Sequence, residues 1–347
     1  MSRERRSLRR LKAFGAWAVT RSRAVSVLEH SGGRRRNLLR VLTYHRVPAD
    51  FDSHVAHLAD SYHVASIDDV LAVYDNGATL PPRSLLITFD DAYRDFAEHA
   101  WPSLARRGLP VTLFVPTAFP DHSERIFWWD SLREALLLTE RTDALETPVG
   151  ALTLVGTAAR ERAFERLRDY LKSLPHDDAM LELERLLRSL AVPASASSVL
   201  GWDDLRRLAR EGVTLGAHTR MHPLLSRVPV ERAVAEVVGS LEDLRREIGA
   251  SMLSILAYPD GRFTDELVSR LEGEDFVLAF TTTPGTNELP RADRLRLRRI
   301  NIGPDATVPD LRARLAYSPV YANRWRPLVG DRVVPGLDAS RVTTPQR

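Results

Sequence analysis

The chain is 347 residues long, 44% hydrophobic and 27% charged, with 21 prolines and no cysteine. That is length enough for one large α/β domain with a sizeable core. The missing cysteines exclude a disulfide framework and a thiolate metal site, so any bound metal must rest on histidine and carboxylate.

The net charge of +3 is unevenly spread: residues 1–36 carry eleven Lys or Arg against Glu4 and Glu29, which leaves the rest of the chain net acidic. This basic arm is a separate object from the domain. Ala13 to Val19 is too short for a signal-peptide core, and no stretch of the chain reaches the length of a transmembrane helix. A cytoplasmic protein is expected. Two readings of the arm stand. It is a solvated basic tail, or it is a helix whose face of Leu8, Leu11, Phe14, Trp17 and Ala18 lies on an anionic membrane surface. The second reading would hold the protein peripherally at the inner membrane face. The arm has two aromatic residues, so base stacking is poorly supported and no nucleic acid is expected.

Leu38 to Val47 is the first strand, with His45 at its end. His54, His57 and His63 follow in a helical stretch and read as surface or core-edge residues. Ile67 begins a helix capped by Ser66 or Asp68, and Asp68-Asp69 is first-turn charge stabilised by the helix dipole. Gly77 to Pro82 turns the chain into Leu85-Leu86-Ile87-Thr88-Phe89, a buried strand that ends in Asp90-Asp91. Side chains alternate along a strand, so the two acids cannot do the same job: one can ligate a metal while the other accepts a proton. A helix is expected over Ala92 to Arg107, and Pro110 to Pro116 is the next strand, apolar throughout as in a parallel sheet.

Residues 119–200 break the alternation. Helical periods run from Trp128, over Glu161 to Lys172 and over Asp178 to Leu190, and a small-residue linker follows. The segment reads as a helical insertion on one edge of the domain. Alternation resumes with a helix over Trp202 to Glu211 and a strand over Val213 to Ala217. That strand ends in His218, with His222 four residues on. On one helical turn the two imidazoles share a face and can grip one ion. One carboxylate and two imidazoles leave a coordination position for water, as a catalytic metal requires. Helices over Pro229 to Ile248 and Thr264 to Leu271, strands over Ser254 to Tyr258, Phe276 to Thr282 and Arg296 to Ile302, and a helix from about Val308 complete the domain, 37–317. Residues 318–347 read as a tail. About seven strands alternating with helices argue for α/β architecture, a parallel sheet closed into a barrel. Each charged motif then lies at a strand's C-terminal end, the face where such barrels place active sites.

Together these residues resemble the polysaccharide deacetylase family of carbohydrate esterases. Thr88-Phe89-Asp90-Asp91 matches the family's first motif and His218-Thr219-Arg220-Met221-His222 its second, and Tyr258-Pro259-Asp260-Gly261 is similar to its third. The resemblance covers roughly residues 38–303, with a gap in the middle. It implies a distorted barrel of seven strands and a divalent ion, most often zinc, on Asp91, His218 and His222. Asp90 would be the general base. The Tyr258, Pro259 and Asp260 segment would supply substrate contacts and a backbone N–H to the oxyanion. Tyr44-His45-Arg46-Val47 is similar to the opening of circularly permuted members, which implies His45 as the general acid. No histidine follows His222.

Three departures bear on this. Ala92 replaces the glycine that usually follows the acid pair. Ala257 stands where an arginine usually orients the base, and Arg298 or Arg299 is the candidate replacement. Asp260 stands where an aromatic residue helps wall the acetyl pocket. A carboxylate there would repel acetate and favour a cationic or hydroxyl-rich substrate, or another acyl group. Trp128 and Trp129 either line a sugar cleft or staple the insertion to the domain. The resemblance implies a hydrolase removing N-linked acetyl or acyl groups from amino sugars of a polysaccharide, oligosaccharide or glycolipid precursor, with a carbohydrate as partner. A non-catalytic glycan-binding relative and an amidase for a small non-sugar amide are the alternatives.

Overall fold

Seven apolar strands, too hydrophobic on both faces to stand in water, close on one another in the computed structural model, which describes residues 36–321 apart from 123 and 194–196. They are β1 (Leu38–Tyr44), β2 (Ser84–Phe89), β3 (Thr112–Val115), β4 (Thr214–Ala217), β5 (Ile255–Ala257), β6 (Leu278–Pro284) and β7 (Leu297–Asn301). Each pairs in parallel with the next, and β7 pairs with β1 to close the ring. Short strands at His63–Val64 and Asn287–Glu288 extend it at β2 and β1. The basic arm up to residue 35 and the tail beyond residue 321 lie outside the described residues, and with them the membrane-surface reading of the arm. Among the described residues no helix is long and apolar enough to cross a membrane.

The period of two sorts each strand into two layers. Val41, Leu86, Phe114, Ile255, Leu278 and Leu297 belong to the cluster that fills the barrel. Their neighbours Leu42, Ile87, Leu113, Leu256 and Ala279 face the surrounding helices. Those helices are α1 (Phe51–Ser61), α2 (Ile67–Asn76), α3 (Trp101–Ala105), α4 (Trp128–Leu138), α5 (Thr157–Ser173), α6 (His176–Leu190), α7 (Trp202–Arg210), α8 (Val230–Glu247), α9 (Asp265–Glu272) and α10 (Val308–Tyr321). Helix α2 starts where a capping box places it: the Asp69 N–H donates to Ser66 Oγ, and the Ser66 N–H donates to Asp69. Helices α4 to α6 form the insertion between β3 and β4, with a core of their own that includes Leu132, Leu136, Leu167, Leu183 and Leu186.

Two expectations change. The helix expected from Ala92 starts two residues later, at Arg94, and passes through a π-turn, Phe96–Ala100, before α3. Asp91 (φ 70°) and Ala92 (φ 48°) are left-handed and cannot belong to it. Pro102 lacks the N–H that would bond the Glu98 carbonyl, which favours a wider turn there. His54, expected at the surface or core edge, is fully buried, with Nδ1 3.4 Å from the Tyr44 hydroxyl.

Gly216 lies in the barrel between Phe114 and Ile255, where a Cβ would stand 2.6 Å from the phenyl ring and 2.9 Å from the isoleucine side chain. Gly216→Ala should therefore overpack the barrel and lower stability by about 1–3 kcal/mol, read from the urea unfolding midpoint at unchanged slope.

Candidate active site

The inward rows of three strands continue directly into the chemistry. Leu86 and Thr88 are followed on β2 by Asp90, Gly216 on β4 by His218, and Leu297 on β7 by Arg299. Alternation alone would send Asp91 to the outer layer. Its left-handed backbone instead turns the carboxylate back over the mouth. The histidine motif is not a helical turn as expected. Thr219 (φ 65°) and His222 (φ 57°) are left-handed, and Pro223 disfavours the right-handed helical region at the residue before it. The two imidazoles meet because a tight loop folds back, with the His222 N–H donating to Thr219 Oγ1 at 3.0 Å.

Asp91, His218 and His222 are buried and converge. Asp91 Oδ1 is 3.4 Å from Nε2 of each histidine, and the two Nε2 atoms are 3.2 Å apart. Ligands about 2.0–2.1 Å from a tetrahedral ion stand about 3.3–3.4 Å from one another, so this triangle is one face of such a polyhedron. His218 Nδ1 lies 2.7 Å from the Ala257 carbonyl, to which it donates, so Nε2 faces the centre. Asp91 Oδ1 is buried with no hydrogen-bond donor. Burial and the neighbouring His218 push the His222 pKa down to about 4. For His218, burial works against the charged form, but Asp91 and Asp90 outweigh it and raise the pKa. The centre of the triangle is therefore a point that attracts positive charge. These residues fit a divalent cation.

Asp90 is held apart from this triangle. Both its oxygens accept from Arg299, at 2.8 and 2.7 Å, and the third direction of the guanidinium donates to the Thr281 carbonyl at 2.8 Å. The arginine side chain is 0% exposed and the aspartate 2%. Burial opposes ionisation of Asp90, but Arg299, with His218 and His45, holds its carboxyl far below the usual carboxylate range. Of the two arginines named from the sequence, Arg299 has the inward register. Arg298 is on the opposite parity, and its backbone pairs with the Asn287 side chain. His45, at the end of β1, has Nε2 3.8 Å from Asp90 Oδ2 and is 39% exposed, placed between the buried acids and solvent.

The third-motif residues diverge. Tyr258 turns outward, fully buried, with its ring against Phe263 (centroids 4.7 Å apart) and its hydroxyl on the Leu295 carbonyl. Pro259 is buried in the short turn that follows, and Asp260 is left-handed (φ 54°). The Asp260 carboxylate is not free at the mouth: Lys172 of α5 donates to one oxygen at 2.6 Å and Arg262 to the other at 3.0 Å. The repulsion of acetate expected from the sequence is thereby neutralised. Trp129 ties the insertion to the domain and packs beside the triangle. Its indole N–H donates to the Tyr93 hydroxyl at 3.0 Å, and its ring meets His222 edge-on with centroids 4.8 Å apart. Tyr93 in turn donates to Asp130 at 2.7 Å.

A set of residues outside every motif fixes the histidine loop. Glu236 of α8 accepts the backbone N–H groups of Arg220 and Met221, at 3.0 and 2.8 Å. Asp243, two turns further along the same face, takes Arg220 in a two-pronged pair at 2.7 and 3.0 Å and also accepts from Thr117 at 2.9 Å. Gly239 lies between them because the Arg220 guanidinium would stand 2.3 Å from any Cβ there. The recurrence of 236, 239 and 243 at helical spacing was the available signal.

A family model described as polysaccharide deacetylase matches residues 77–276 of this chain. The matched span contains Asp90, Asp91, His218, His222 and Asp260 but neither His45 nor Arg299. No curated protein sequence matches. Among solved structures, the chain is similar to the deacetylase PplD of Streptococcus pyogenes in complex with acetate (18% identity, 80% of this chain and 98% of that one, TM-score 0.52). It is also similar to IcaB of Ammonifex degensii (16% identity, 81% and 97%, TM-score 0.52). A de-N-acetylase of Aggregatibacter actinomycetemcomitans is a third (15% identity, 81% and 100%, TM-score 0.51). At these identities the likeness speaks for the fold.

Arg299→Met should remove about 3–5 kcal/mol of stability, because it leaves a buried charge without its partner. Urea unfolding at neutral pH measures it. Glu236→Ala should leave the unfolding midpoint nearly unchanged but weaken zinc retention at the histidine loop by roughly 10–100-fold, read by competition with a chromogenic chelator.

Proposed function

Because the chain belongs to the polysaccharide deacetylase family, we propose that it is a divalent-metal-dependent hydrolase that removes N-linked acetyl or related acyl groups from amino sugars of a glycan. The observation that carries this reading is the triangle of Asp91, His218 and His222 beside a carboxylate that is ionised and held apart from it. Imidazole and carboxylate suit zinc, although such a donor set accepts other first-row ions.

When bound, the ion supplies Lewis acidity, polarising the acyl carbonyl and bringing the pKa of a water ligand to about 7. Asp91, His218 and His222 would hold it. Asp90 accepts a hydrogen bond from the attacking water and takes its proton as the oxygen adds to the carbonyl carbon. With Arg299 on both oxygens, Asp90 is a weak base by itself. The guanidinium fixes its direction, and acidification of the water by a bound ion would favour the transfer. A backbone N–H near Asp260 would stabilise the developing oxyanion. His45 then gives a proton to the departing nitrogen as the C–N bond breaks, and the products are a carboxylate and a free amine.

Asp90→Asn should lower acetate release from N-acetylglucosamine oligomers by about 10²–10⁴-fold while one metal per chain is retained by elemental analysis. His218→Ala should lose the metal as well. Glycan binding without acetate release by the metal-loaded wild type would overturn the reading in favour of a binding protein.

A further inference from the structure

The loops at the mouth of the barrel are covered unevenly. From the β2 side, Tyr93 donates to Asp130, and Trp129 donates to Tyr93. Over β4, the rings of Phe127 and Trp129 lie against His222, with centroids 5.7 and 4.8 Å away. Behind that loop, Asp177 of α6 receives Arg232 at 2.8 and 3.0 Å. Over β5, Lys172 of α5 holds Asp260 at 2.6 Å. The insertion thus arches across the ends of β2, β4 and β5 and is tied down at both feet. Between it and the His222 loop, Trp128, Leu171, Lys172, Met180 and Leu224 leave a space of about 10 Å³, room for about one water and none for a sugar ring. On the opposite arc, at the end of β1, His45 is open to solvent beside Asp90.

A polymer that presents an internal residue to the metal needs room for neighbouring sugars on both flanks. This mouth has one free flank. Building on the reading above, we infer that the insertion makes the site one-ended, so that its substrate is the terminal or sole N-acyl amino sugar of a short glycan or glycoconjugate. The sugar enters past His45 and its acyl group points toward the triangle. Any remaining chain or aglycone extends back out over β1. Lys172 sets this preference without touching the reacting atoms: it neutralises the Asp260 carboxylate and clamps α5 over β5.

The test uses the full-length, metal-loaded protein and N-acetylglucosamine oligomers of one to six units labelled at the reducing end. Tandem mass spectrometry locates each lost acetyl group. One acetyl should be lost per molecule, at one end only, and kcat/KM should change less than threefold from the dimer to the hexamer. Calorimetric binding to Asp90→Asn should likewise show dimer and hexamer affinities within threefold of each other. Trp128→Ala, with Lys172→Met as a milder opening of the same flank, should admit a neighbouring sugar and yield internally deacetylated products at least tenfold above the wild type. Multiple or internal deacetylation by the wild type, with rates rising steeply with length, would overturn the one-ended site while leaving the hydrolase reading intact. Variants that still spare every internal residue would overturn the assignment of the block to the insertion. No acetate from any oligomer or glycoside, with metal bound, would sink the hydrolase reading itself.

Discussion

Asp90 and Asp91 are adjacent, buried and ionised, and the mouth of the barrel is arranged to give each its own counter-charge. Two bare carboxylates side by side in a low dielectric would repel each other and lose their hydration, at a cost of several kcal/mol per ion. The chain separates them by a left-handed turn at Asp91. One then faces the guanidinium of Arg299 and the other faces two imidazoles. The Arg299 pair is complete within the protein. The Asp91 side is not, because its oxygen meets two ring nitrogens and no hydrogen-bond donor. That asymmetry sets a carboxylate whose partner is complete beside one that a cation would complete.

The same logic of compensation runs through the third motif. Asp260 replaces an aromatic wall with a charge, and the replacement is matched by Lys172 from a different segment of the chain. Phe127 and Trp129, stacked 4.5 Å apart, lie on the other side, beside His222. The insertion is therefore part of the mouth as much as an appendage with its own core. Without Lys172, Asp260 would keep Arg262 alone as its partner.

Legibility followed the distance over which each constraint acts. Strand ends with apolar runs and charged residues are local patterns, so β2 with Asp90-Asp91 and β4 with His218 could be read directly, as could the closed seven-strand barrel. The choice between Arg298 and Arg299 could not, because it depends on the register of the last strand against the first, which pairs Leu42 with Ile300. The histidine loop is not helical. A spacing of four is compatible with a helix, but the loop is shaped by left-handed residues and by Pro223. Glu236, Gly239 and Asp243 recur at helical spacing, but that spacing does not say whether the shared face meets a loop or water. The Asp260–Lys172 pair joins positions 88 residues apart, beyond the reach of any local pattern.

Closure of the ring places the first strand between β2 and the last. His45 and Arg299, 254 positions apart in the chain, consequently flank the same carboxylate. A chain still emerging from the ribosome holds both acids long before the guanidinium that neutralises one of them has been made. The constellation is thus complete only with the final strand of the sheet, and a chain that stops short of it leaves Asp90 without its guanidinium.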